Sequence, residues 1–138
     1  MIVENRKAGR ELAFHILYHA DRIGSLTPEE VERYWRLHPA DEKSKMFADR
    51  LIALILEKNR QIDDLLTEAS ASWSLERMDA VSRSILRLGV CEMYFSTDIP
   101  PAVTIDEAIR LAKRYGPENA PGFVNGILDR LYQEKMAV

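Results

Sequence analysis

Two groupings near the start of this sequence hold residue types that could do chemistry. Glu11, His15 and His19 recur at intervals of four. On a helix that spacing lines them along one side, where imidazole nitrogens and a carboxylate could face a metal ion. Three ligands spaced by four on one straight helix rarely converge on one ion, so the grouping reads first as a mixed solvent or interface face. Just ahead lie Arg6, Lys7 and Arg10. Arg6 and Arg10 are one helical turn apart, Lys7 is beside them, and Phe14 and Tyr18 continue roughly the same ridge. Guanidinium forks match phosphate oxygens, and an aromatic ring can stack on an unpaired base. The combination suits single-stranded RNA better than a duplex groove. The plainer alternatives are a solvated first turn for the basic residues and core positions for the two rings.

Other chemistry is hard to find. The sequence contains no His-Glu-x-x-His, no cysteine pair and no glycine-rich phosphate loop. Cys91 is the single cysteine, so an internal disulfide is excluded and a reducing compartment favoured. It reads as a small buried hydrophobe. Asp63-Asp64 and the scattered glutamates have no histidine or basic partner fixed beside them by spacing. An enzyme whose carboxylates converge from distant positions stays open, and a deep pocket lined by them would reveal it. No metal or cofactor is expected. The net charge of -3 argues against a general polyanion binder but leaves room for a local basic site. The first residues do not read as a signal peptide, and no apolar run approaches the roughly 20 residues of a membrane helix. A cytoplasmic protein with no membrane partner is expected.

These residues must be positioned by helices, because almost nothing in the chain alternates with period two. The first helix is expected from near Asn5 to Ala20, with Ala13, Ile16, Leu17 and Ala20 as its apolar stripe and Gly24 as a stop. Thr27-Pro-Glu-Glu restarts a short second helix through a capping box, with Val31, Tyr34 and Trp35 as its packing residues. A long third segment begins near Ala40 or Asp41 and carries Phe47, Leu51, Leu54, Ile55, Ile62, Leu65, Leu66 and Ala69. A break is expected near Lys58-Asn59. Ser74 caps a short turn, and Asp79 caps a helix apolar around most of its circumference, from Val81 to Tyr94. That helix should be the central and most buried one. Asp98-Ile-Pro-Pro-Ala-Val reads as an extended connector, Thr104 with Glu107 as a second capping box, and Asn119 as the cap of the last helix. The expectation is an all-α chain of about seven helices in two small packed bundles, residues 1–72 and 73–138 of a single 138-residue domain.

Several fragments stand in a telling order. Ala8-Gly-Arg-Glu-Leu-Ala13 leads to Leu17-Tyr18, and Arg83-Ser-Ile-Leu-Arg-Leu88 is followed by Glu92 and Tyr94. Asp98-Ile-Pro, Ile105-Asp-Glu-Ala108, Ala112-Lys113, Tyr115-Gly116 and Phe123-Val-Asn-Gly-Ile-Leu-Asp129 come after them. Together they resemble the NusB family of bacterial transcription antitermination factors across essentially the whole chain. The resemblance implies a non-catalytic all-helical protein that pairs with ribosomal protein S10 (NusE). The pair would recognise single-stranded boxA RNA and join NusA, NusG and RNA polymerase. It implies RNA contacts at Arg6, Lys7 and Arg10, with Tyr18, Asn119, Phe123 and Asn125 as further candidates. It places S10 on the second bundle, with Ser82 and Glu92 as exposed residues to contact it. Both a monomer and a homodimer are compatible with it. An RNA-binding assembly protein of the ribosome is the nearest other reading.

Overall fold

The computed structural model describes residues 4–71 and 73–137, and every regular element among them is helical. Six α-helices run α1 (Arg6–Ile23), α2 (Pro28–Leu37), α3 (Glu42–Ala69), α4 (Ala80–Phe95), α5 (Pro101–Tyr115) and α6 (Ala120–Met136). A 3-10 turn over Leu75–Arg77 stands between α3 and α4. The helix starts follow local chemistry. Asn5 accepts a hydrogen bond from the Ala8 amide at 3.2 Å, Thr27 from Glu30 at 3.1 Å, Asp41 from Ser44 at 3.0 Å and Asp79 from Ser82 at 2.9 Å. Each satisfies a donor that the first helical turn leaves open. α1 ends where Gly24 takes a φ of 86°, a left-handed conformation that suits glycine. It runs one turn further than its apolar stripe required.

α3 is 28 residues long and is bent at Lys58, whose φ of −107° and ψ of 15° leave helical geometry. The break therefore falls at the expected place. Several other expectations need correction. Thr104 and Glu107 do not form a capping box, because α5 already starts at Pro101, with Pro100 before it and no side-chain cap. Pro101 occupies the first helical turn, where its missing N–H costs nothing. The extended connector is correspondingly shorter. Asn119 precedes α6 in an αR conformation and makes no side-chain cap bond. Ser74 precedes the 3-10 turn, also without a side-chain bond.

α4 is the hub. It packs on α1, α3, α5 and α6, while α1 lies along α3 and α5 pairs with α6. Ile85, Leu86, Leu88, Val90, Cys91 and Met93 are all buried along α4, as an all-round apolar helix requires. Burial pushes the Cys91 thiol up to about 12, so it stays protonated and inert. The hydrophobic core is continuous from Ala13 of α1 to Leu131 of α6. Two glycines allow close approach. A Cβ on Gly9 would stand 2.6 Å from the Ser44 carbonyl oxygen and 2.8 Å from the Phe47 Cβ, so α1 meets α3 nearly backbone to backbone. A Cβ on Gly89 would stand 3.0 Å from both Leu128 methyl carbons.

Candidate nucleic-acid interface

The basic residues of α1 have three different fates. Lys7 is exposed in the first turn. Arg6 is partly exposed and engaged: its Nη2 donates to Asp98 Oδ2 at 2.6 Å, and its Nε lies 3.6 Å from Glu4. Arg10 is buried, with 2% of its surface exposed. Its Nε and Nη2 donate to the two carboxylate oxygens of Glu92 at 2.7 and 2.8 Å. Its Nη1 reaches Glu107 at 3.4 Å, and the Thr104 hydroxyl donates to Glu92 Oε1 at 3.1 Å. Arg10 is thus a buried pin joining α1 to α4 and α5. Arg10 is expected to reach RNA as a surface ligand, but here it is not at the surface, and both faces of its fork are engaged inside the protein.

The two residues expected to be exposed for S10 are buried instead. Glu92 is 1% exposed and Ser82 is 0% exposed. Neither is a surface residue of α4, because neighbouring helices close over that helix on several sides. The aromatic ridge divides in the same way. Phe14 is buried in the core, whereas Tyr18 is half-buried, with its ring stacked on Phe14 at 6.1 Å. Arg22 stands over the Tyr18 ring at 5.7 Å and donates to its hydroxyl at 3.3 Å. Tyr18 therefore keeps one edge at the surface.

The Glu11, His15 and His19 series does not converge. His19 is exposed. The Tyr115 hydroxyl donates to Glu11 Oε1 and lies 3.3 Å from His15 Nε2, while Arg114 pairs with Glu11 at 2.8 Å. Burial lowers the His15 pKa, against a smaller opposing effect of Glu11. Among the described residues no cluster of three metal-ligating side chains occurs.

At the other end of the molecule, Asn119, Phe123 and Ser82 meet. They line a groove of about 390 Å³ together with Trp73, Arg77 and Asp79. Trp73 is 42% exposed, and the Arg77 guanidinium stands 4.5 Å from its ring centroid. Asn125 is exposed on α6 but is not part of this lining. Sequence reasoning did not single out Arg77. Its signal is the four-residue step from Trp73, weak in a segment that is not an α-helix.

A second cleft, of about 520 Å³, lies where the α1 end, the α3 bend and the 3-10 turn meet α4. It contains Asp21, Asp63, Arg83 and Arg87. Arg83 donates to both Asp21 oxygens at 2.6 Å and to the carbonyls of Leu75 and Met78 at 2.8 and 2.7 Å. Arg87 forks onto Asp63 at 2.9 and 3.1 Å. The hydrogen bond from Arg83 lowers the Asp21 pKa. A carboxylate held ionised inside a bidentate pair is poorly placed to exchange protons near neutral pH. The arginines of Arg-x-Ile-Leu-Arg therefore act as clasps across the helices.

The comparisons with known proteins agree with one another. A profile described as the NusB family matches residues 7–133. A transcription antitermination protein NusB of Sorangium cellulosum is 41% identical over 126 residues, covering 91% of this chain and 90% of that one. The protein of the same name from Syntrophus aciditrophicus is 42% identical over 130 residues, 94% and 81% of the two chains. Among solved structures, NusB of T. maritima superposes with a TM-score of 0.84 at 39% identity, covering 99% of both chains. A structure of antitermination factors NusB and NusE in complex with dsRNA superposes with a TM-score of 0.82 at 28% identity, covering 94% and 96%.

Proposed function

The chain belongs to the NusB family, and from that premise we propose that it is a non-catalytic transcription antitermination factor acting in the cytoplasm. It binds boxA-containing RNA together with ribosomal protein S10 (NusE), and the assembly acts with NusA, NusG and RNA polymerase. The observation that carries this reading is the whole-chain likeness to a NusB captured with NusE and dsRNA. The chain's own surface supports it. Lys7 offers an exposed ammonium in the first turn of α1, and Tyr18 offers a ring edge on the same helix. Asn119 and Phe123 add an amide and a second ring at the groove beside Trp73 and Arg77. Rings and guanidinium planes are what unpaired bases stack on. In this reading Arg10 positions α1 for RNA without touching it, and S10 meets the exposed rim of the second half rather than Ser82 or Glu92.

The net charge of -3 makes RNA binding by the chain alone weak and salt-sensitive. S10 adds contacts and completes the RNA surface. Linkage then requires boxA RNA to tighten the grip on S10 by the same factor as S10 tightens the grip on RNA. Titrating both sides of that thermodynamic square tests the proposal, with Lys7→Ala expected to weaken RNA binding at unchanged thermal stability. If S10 neither binds nor alters RNA affinity, antitermination is the wrong reading, and RNA binding in ribosome assembly takes its place.

A further inference from the structure

We propose that Arg6 and Arg50 form a phosphate seat that the Asp98 carboxylate fills in the RNA-free chain, so that an RNA phosphodiester and Asp98 compete for the same two guanidiniums. The proposal rests on the RNA-binding reading above and adds to it a contact residue, Arg50, and an internal competitor.

The geometry is that of one anion between two forks. Asp98 Oδ2 accepts from Arg6 Nη2 at 2.6 Å, and Asp98 Oδ1 accepts from Arg50 Nη1 at 3.0 Å. The Ser96 hydroxyl donates to the same Oδ1 at 3.0 Å and itself accepts from Arg50 Nη1 at 3.2 Å. Arg6 Nη1 also reaches the Asp98 carbonyl at 3.2 Å. Each carboxylate oxygen thus meets a different guanidinium, as the two non-bridging oxygens of a phosphodiester can. Glu4 is a secondary counter-charge, accepting from Arg50 Nη2 at 2.9 Å. The Phe47 ring lies 5.6 Å from the Arg6 guanidinium carbon and 5.2 Å from that of Arg50, which helps hold both planes in place.

Exposure separates this pair from the pin beside it. The side chains of Arg6, Arg50 and Asp98 are 41%, 33% and 48% exposed, whereas Arg10 and Glu92 are at 3% and 1%. An ion pair open to solvent changes an equilibrium by roughly a factor of five or less, so a multivalent anion can displace it. Asp98 also sits in the short connector between α4 and α5, outside both helices, so its side chain can rotate away without unwinding either. With Arg10 buried, Arg6, Lys7, Lys43 and Arg50 are among the cationic residues around the start of α1. The Asp98 pKa falls to about 2, chiefly through the hydrogen bond from Arg50, so the competitor is fully ionised at neutral pH.

The test compares the parent, Asp98→Asn, Arg50→Gln and the double variant, each checked for retained helicity. Inorganic tripolyphosphate and a boxA-containing RNA with S10 are the two probes, and the Arg Nε–H resonances report on the seat directly. Asp98→Asn should bind both probes roughly two- to fivefold more tightly. Arg50→Gln should bind both more weakly and lower the RNA salt slope by about 0.7. In the Arg50→Gln background the gain from Asp98→Asn should shrink, because only Arg6 is left for the carboxylate to release. A gain that is undiminished there would reveal a general field effect and overturn the seat. So would tripolyphosphate binding that Asp98→Asn leaves unchanged or weakens. Tripolyphosphate results as expected, with no RNA binding in the presence of S10, would keep the seat and reject the antitermination reading instead.

Discussion

At the scale of single residues, the sharpest contrast is between Arg6 and Arg10, one turn apart and opposite in role. Arg10 is desolvated and fully matched by Glu92, and removing one member of such a pair strands a buried charge. We expect Arg10→Ala to cost about 3–5 kcal/mol in urea unfolding. A cost of less than about 1 kcal/mol would show that the pin does not hold the helices together. Any RNA-binding loss in that variant would have to be separated from lost structure, which is why Lys7 is the cleaner probe. Asp98 gives a pH prediction. Its pKa is lowered in the folded chain from an ordinary 3.8 to about 2, so its stabilising contribution is fully present above about pH 4. It is lost as pH falls through about 2. Asp98→Asn should flatten that part of the acid-unfolding profile, and a profile identical to the parent's would mean the ion pairs contribute nothing in solution.

At the scale of elements, local chemistry decides where helices begin and contact decides how they lie. Asp79 caps α4 through the Ser82 amide, and Asp79→Ala should cost about 1 kcal/mol. Gly9 is a position of a different kind. A Cβ there would need α1 and α3 to separate, since the nearest obstacles are the Ser44 carbonyl and the Phe47 Cβ rather than a flexible side-chain end. Gly9→Ala should therefore destabilise by about 1–3 kcal/mol, although alanine is the better helix former. Thermal or denaturant unfolding of the variant gives the sign, and a stabilised Gly9→Ala would mean the helices can separate freely. α5 shows how a helix start can be misplaced by a residue or a turn. Thr-x-x-Glu from Thr104 to Glu107 matches the capping pattern, but Pro101 starts the helix earlier, and the Thr104 hydroxyl is used to hold Glu92.

At the scale of the whole molecule, α4 joins everything. Leu86 is fully buried on it, within a core that runs from α1 to α6. Leu86→Ala should cost about 2–5 kcal/mol. If unfolding is a single cooperative transition, that loss should move the whole transition rather than one part of it. Separate transitions for the two halves would show that the continuous core does not couple them. The buried Arg10–Glu92 pair, the Arg83–Asp21 clasp and the Arg87–Asp63 clasp all cross from α4 to α1 or α3. Side-chain charge therefore reinforces apolar contact at the same junctions.

Much of this was determined by the sequence alone. Helical periodicity, the helix starts near Asn5 and Asp41, the caps at Thr27 and Asp79, the stop at Gly24 and the break at Lys58 depend on residues within a few positions of each other, so they are legible in one dimension. The apolar circumference of α4 marked it as central for the same reason. The candidate site was legible only in part. Lys7 and Tyr18 keep surface exposure, and Asn119 and Phe123 share a groove, but exposure at Arg10, Ser82 and Glu92 was decided by partners far along the chain. Arg10 and Glu92 are 82 residues apart, and Arg50 lies 48 residues from Asp98. Nothing in local spacing shows that a charged residue has found its counter-charge across a helix interface. Tertiary packing alone decides which charges are buried pins and which remain open to a phosphate.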